Sequence, residues 1–165
     1  MIRVVVDDLA GVAVDAVLRS ADQSLDPVTP AMSRLDRQAG DRFEAQRRVT
    51  TPLEAGAAVV TGGGDLKAPF VLHVVIRDPS SPVGREVVRR ALVSAWQRAT
   101  DWGLGTIAAP LVGAGAGQLS MEEAASLLAE TFPREAGERP PAELRIVVER
   151  EEEREMVEAI LRRTT

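Results

Sequence analysis

Thr106-Ile107-Ala108-Ala109-Pro110-Leu111-Val112-Gly113-Ala114-Gly115-Ala116-Gly117, followed closely by Ser120-Met121-Glu122-Glu123, reads as a buried strand, a glycine-rich loop and a capped helix. In that order, backbone N–H groups and the positive end of a helix point at one anion. Gly113, Ala114, Gly115, Ala116 and Gly117 are therefore candidate ligand-binding residues. The competing reading is a tight strand-to-helix connection that needs small residues, because the Gly-x-Gly-x-x-Gly pattern is incomplete.

Outward from this stretch the chain alternates strand and helix. Ile2 to Val6 is a β-branched strand ending in Asp7 and Asp8, and Val14 to Leu18 is a second apolar run. Thr29-Pro30 opens a helix that Gly40 stops, with a further turn or two from Asp41 to Arg48. Ala57 to Thr61 and Phe70 to Ile76 form strands joined through Gly62-Gly63-Gly64-Asp65, where a turn is favoured over a second anion nest. Ser81-Pro82 starts a helix whose Val88, Ala91, Leu92, Ala95, Trp96 and Ala99 share one stripe, and Trp102 falls at its end. Ser120 to Glu123 has the form of a capping box for a helix running to Phe132. A last strand holds Leu144, Ile146 and Val148, and a last helix sets Met156, Val157, Ile160 and Leu161 on one face. Strands that are apolar on both faces and alternate with helices predict an α/β fold, a mostly parallel sheet covered on both sides. Ligands in such sheets sit beyond the carboxyl ends of the strands, where Asp7, Asp8, Asp22 and the 113–117 loop fall.

Composition narrows the chemistry. The 165 residues read as one domain with room for a core, 45% hydrophobic and 27% charged. Without cysteine there is no disulfide, thiolate metal site or Cys nucleophile, and His73 alone would have to serve any Ser-His-Asp triad. A formal charge of −5 and 3% aromatic residues argue against a nucleic-acid binder. Neither a membrane span nor a signal-peptide layout is visible, so a cytoplasmic location is expected.

Individual residues carry sharper expectations. Asp7 and Asp8 either read an exocyclic amine or simply cap a strand end. Asp22, partnered by Asp8 or Asp26, is the candidate general base. His73, among apolar neighbours, is expected in the core as a hydrogen-bonded residue. Arg34, Arg37, Arg42, Arg47 and Arg48, interleaved with Asp36, Asp41 and Glu44, are expected to form a solvated helix face. Glu149 and Glu151 to Glu153, with Arg162 and Arg163, suit the two ends of the last helix dipole.

Asp15-Ala16-Val17-Leu18, Gly56 to Leu66, Phe70-Val71-Leu72-His73 and Ile107-Ala108-Ala109-Pro110-Leu111, in that order and spacing, resemble the macro domain, the ADP-ribose-binding module, over about Val4 to Leu161. The resemblance implies a three-layer α/β/α sandwich with a central mostly parallel mixed sheet. It implies binding of ADP-ribose or a related nucleotide through Asp8, Leu9 and the backbone of Gly113 to Gly117, with no cofactor. The chain departs from the family at several positions. The family's ribose-contacting Asn is Asp22, its three-glycine loop aligns with Val28-Thr29-Pro30, Ala114 and Gln118 replace Thr and Gly, and the aromatic residue near the adenine is Glu149. Val28 and Thr29 resist the backbone geometry that glycine allows, and Pro30 has no N–H to donate. Two lost hydrogen bonds to a charged acceptor cost about 3–6 kcal/mol, so a weakened or altered site is expected. The alternatives are a macro fold that works through protein contacts or as a homo-oligomer, and, ranked last, an ADP-ribosyl hydrolase using Asp22.

Overall fold

A computed structural model describes residues 1–115, 119–133 and 139–164. Its elements run β1 (Ile2–Val6), β2 (Ala16–Asp22), α1 (Pro30–Ala39), α2 (Asp41–Gln46), β3 (Ala58–Gly62), β4 (Phe70–Arg77), α3 (Arg85–Trp102), β5 (Thr106–Ala109), α4 (Met121–Thr131), β6 (Glu143–Val148) and α5 (Glu151–Thr164). The strands form one sheet in the order β1-β6-β5-β2-β4-β3. All pairs are parallel except β3 with β4, which closes as an antiparallel hairpin.

Side chains alternate across this sheet, which is why its strands are apolar throughout. Leu18, Leu72, Ile107 and Ile146 point to the side covered by α3, α4 and α5 and join the larger core. Val17, Val71, Ala108 and Val147 point the other way and pack with Met32, Leu35 and Phe43 of α1 and α2. The result is the expected three-layer sandwich with a mostly parallel mixed sheet. On the larger side, Trp96 donates from Nε1 to Thr131 Oγ1 at 3.0 Å and meets Phe132 edge-on at 5.0 Å, so α3 and α4 lock together.

The helix ends follow their local chemistry. Thr29 caps α1 by accepting from Met32 N–H at 3.2 Å, and Gly40 ends it at φ +89°. Ser120 and Glu123 form the capping box of α4. The Gly62-Gly63-Gly64 segment is a turn, since the Gly63 N–H goes to Pro69 C=O and the Gly63 C=O takes the Leu66 N–H.

Three expectations need correction. The second strand is Ala16–Asp22 rather than a run starting at Val14. Helix α3 begins at Arg85 and not at Ser81-Pro82, because Ser81 and Asp78 bond each other's backbone and hold a turn ahead of the helix. Met156 is 53% exposed, while Val157 and Ile160 carry the buried stripe of α5.

Candidate functional site

The carboxyl ends of four parallel strands converge on one groove. Beyond β1 lie Asp7, Asp8 and Leu9; beyond β2 lie Thr29 and Pro30; beyond β5 lie Pro110, Leu111, Ala114 and Gly115; beyond β6 lies Glu149. Two adjoining hollows of about 440 and 310 Å³ share Ala31, Pro110, Val147 and Glu149. The crevice therefore lies where an open α/β sheet binds ligands.

Asp8 and Leu9 line the larger hollow. Asp8 is exposed, and its carboxylate accepts from Ala10 N–H at 3.2 Å and from Gln38 Nε2 at 3.2 Å. Its own N–H goes to Asp7 Oδ1. Asp8 Oδ1 thus caps a turn while Oδ2 is steadied by α1, leaving the carboxylate an acceptor at the mouth of the crevice. Across it, Arg34 donates to Glu149 at 2.7 Å, both side chains more than half exposed.

Ala114 and Gly115 line the smaller hollow, while Gly113 is not on its lining and packs against Leu119 and Val88. Gly113 and Gly115 hold φ of +93° and +78°, which favours glycine at both. Gly113 serves packing as well: a Cβ there would stand 2.5 Å from Leu119 Cδ1 and 3.3 Å from Val88 Cγ2. At Gly115 the nearest neighbour of such a Cβ is Thr29 Cγ2 at 4.0 Å, so this glycine faces the loop after β2 across open space. Ala116 and Gly117 lie outside the described residues, as does Gln118. Gly113→Ala is expected to cost about 1–3 kcal/mol through left-handed strain and overpacking, measured by chemical denaturation. An unchanged midpoint would show that the loop can move off Leu119 freely.

Asp22 is placed differently from the expectation. It lines neither hollow, and its carboxylate is used in its own loop. Oδ1 accepts from Ser24 N–H at 2.8 Å and from Asp26 N–H at 3.0 Å, while its backbone bonds Leu25 N–H and Asp26 C=O. Asp26 instead pairs with Arg47 at 3.0 Å, and Asp8 with Gln38. The three carboxylates are not assembled as an acid–base group. The loop folds inward on Leu25, which is 1% exposed at φ +62° and packs with Ala21 and Val75.

Under this loop lies a charged cluster that the sequence did not reveal. Arg19 projects from β2 toward α1 and is fully buried. Its Nε and Nη2 bind both oxygens of Asp36 at 2.7 Å, in the bidentate geometry that suits guanidinium to carboxylate. Arg47 reaches the same Asp36 at 3.4 Å and donates from Nη1 to Leu25 C=O at 3.0 Å, which ties the loop to the cluster. Asp36 and Arg47 thus correct the expectation of a wholly solvated α1–α2 face, since Asp36 is 3% exposed.

His73 is in the core, as expected. It sits beside Arg19 in the β2–β4 register and stacks on Phe43 at 5.7 Å. Arg19 Nη1 has only protons to offer, so at 3.2 Å His73 Nδ1 is the acceptor. Nε2 then carries the proton and donates to Thr61 Oγ1 at 2.8 Å, whose hydroxyl donates to Gly62 C=O. The ring is neutral. Burial, then the charges of Arg19 and Arg47, push it well below its ordinary value of 6.5.

Comparison with known proteins agrees with this architecture. The family model described as Macro domain matches residues 20–128. An uncharacterized protein of Aeropyrum pernix is 31% identical over 142 residues, which make up 81% of this chain and 75% of that protein. An uncharacterized protein of Mycobacterium tuberculosis is 24% identical over 121 residues, 73% of this chain but only 34% of that longer protein. The crystal structure of the Trypanosoma brucei macrodomain in complex with ADP-ribose superposes with a TM-score of 0.80 at 20% identity, covering 96% of this chain and 68% of that one.

Proposed function

This chain belongs to the macro domain family, and on that premise we propose that it is a binding module for ADP-ribose or a related adenine nucleotide, with an altered and weakened phosphate end. The observation that carries this reading is the crevice itself. Asp8 and Leu9 stand at one end, Gly115 opposite Thr29 at the other, and the two adjoining hollows join them. An acceptor-only carboxylate at Asp8 suits the exocyclic amine of adenine. A macrodomain of the same fold from Trypanosoma brucei was solved with ADP-ribose, which favours this ligand class over others.

Weakening follows from the loop after β2. Pro30, on the lining of the smaller hollow, has no N–H, and the Met32 N–H beside it is taken by Thr29 Oγ1 at 3.2 Å. The bonds from Ser24 and Asp26 N–H to the Asp22 carboxylate speak against Asp22 as a general base, because removing its charge would unmake the loop that carries it.

Calorimetric titration with ADP-ribose tests the reading. Gly115→Glu should lower affinity by about 100-fold or more, since the side chain brings strain, bulk and a negative charge into the smaller hollow. Undiminished binding in that variant would move the ligand elsewhere on the molecule.

A further inference from the structure

We propose that the β1 edge of the sheet joins two copies of this chain, β1 pairing antiparallel with β1 of a second copy about a twofold axis at Val4. The pairing does not depend on what the crevice binds.

The first ground is the direction of the backbone groups on β1. This strand ends the sheet, with β6 as its strand neighbour. Met1 C=O accepts from Leu144 N–H at 2.9 Å, and Asp7 N–H donates to Val148 C=O at 3.2 Å. With Val4 opposite Ile146 in parallel register, these bonds turn the backbone groups of the odd-numbered residues toward β6. The N–H and C=O groups of Ile2, Val4 and Val6 therefore point away from the sheet, a template for a further strand. The devices that blunt such an edge are weak here. β1 holds no proline, and its one charged side chain, Arg3, leans back onto β6 to meet Glu143 at 2.8 Å. Val6 is 44% exposed at the rim. Antiparallel pairing centred on Val4 sets Val4 against Val4 of the second copy and Ile2 against Val6. All three outward residues are then satisfied in one register, each pair exchanging both of its backbone bonds.

The second ground is the charge along α5, and it selects a second copy over another partner. Helix α5 packs on β1. Between the two runs a hollow of about 380 Å³ lined by Ile2, Arg3, Val4, Glu158, Leu161 and Arg162. The helix opens with Glu151-Glu152-Glu153 and ends with Arg162-Arg163, so it is acidic at its start and basic at its end. Glu155, Glu158 and Arg162, at i, i+3 and i+7, share the rim face. A twofold axis normal to the sheet lays the two α5 helices side by side in opposite directions. Glu158 lies beside Val4 on the hollow and midway along the helix between Glu155 and Arg162. The axis at Val4 thus brings Arg162 of each copy opposite Glu155 of the other. The two Glu158 carboxylates that approach near the axis each keep Arg154 at 3.9 Å. An isologous contact has to complement itself, and this face does so. A partner of one charge sign would match only half of it. The joined sheet reverses direction at the axis, so the two crevices open at opposite ends and neither obstructs the other.

The experiment is sedimentation velocity of the full chain over about a hundred-fold range of concentration. The mass should rise from 17.7 kDa toward twice that value and stop there. Val6→Pro removes an outward N–H and leaves the β6 ladder intact, so it should weaken association about ten-fold or more. Arg162→Glu and Glu155→Arg should each weaken it, and the double exchange should restore it, a rescue that damage to the fold cannot produce. A monomeric mass at every concentration overturns the proposal, as does growth beyond two copies. A dimer indifferent to Val6→Pro, or a double exchange that restores nothing, overturns it too, because the copies then meet through another face.

Discussion

Asp36→Ala is expected to remove about 3–5 kcal/mol of folding stability, because it leaves the Arg19 guanidinium buried without a counter-charge. Arg19 is fully buried and Asp36 nearly so, and both charge-assisted bonds between them are 2.7 Å long. The remaining neighbours cannot replace the carboxylate. His73 Nδ1 accepts only one Arg19 proton, and Arg47 is itself a cation at 3.4 Å from Asp36. Against a total stability of roughly 5–15 kcal/mol, the loss is large enough to populate the unfolded chain. The informative control is Arg19→Met combined with Asp36→Leu. That double variant takes the pair away together and is expected to lie within about 1–2 kcal/mol of the parent, since removing both charges also removes their desolvation cost. Urea denaturation distinguishes the cases. An Asp36→Ala midpoint close to the parent's would mean that water or a moved side chain satisfies Arg19, and the cluster would not be a structural keystone of the loop.

Much of the fold was legible because it rests on local rules. A continuous apolar run gave β4, alternation gave β6, and Thr29-Pro30 and the Ser120–Glu123 pair gave two helix starts. The misplaced start of α3 is instructive. Ser81-Pro82 has the chemistry of a cap followed by a first helical residue, but Asp78 competes for the same backbone and wins through a two-way bridge and two further bonds to Ser80.

The charged cluster was not read because it pairs residues 17 apart in sequence across two layers. A signal existed nonetheless. Met32, Leu35, Asp36 and Ala39 recur at helical spacing and are the buried stripe of α1, so the acid sits among core positions. Arg19 likewise shares the strand face of Val17 and Ala21. A cation and an acid on two buried faces require each other. For the site, the place of Asp8 and Leu9 on the larger hollow was legible because strand ends are legible, whereas the setting of Asp22 was not, because Asp22-Gln23-Ser24-Leu25-Asp26-Pro27 gives the same composition whether the acid faces outward or its own turn.

Acid should destabilise the protein through His73, and the sign follows from the neutral ring. In the folded chain His73 takes up its proton well below 6.5, because burial and the nearby Arg19 and Arg47 charges oppose it. In the unfolded chain it protonates near its ordinary value. Between those two points the unfolded state binds more protons, so stability is intact above pH 6.5 and falls as pH is lowered through the window beneath it. One such group removes up to about 1.4 kcal/mol per pH unit. Protonation has a structural cost too: Nδ1 would present a second proton to Arg19 Nη1, where only one of the two groups can donate. Asp36, on the far side of Arg19, is held by both guanidinium bonds and accepts no bond from the ring. The test compares urea denaturation at several values between pH 5 and 7.5 for the parent and His73→Gln. The variant should be less stable at neutral pH, having lost the Phe43 stack, yet show a shallower decline toward acid. Parallel declines in the two proteins would place the acid sensitivity in the carboxylates and leave His73 without a part in it.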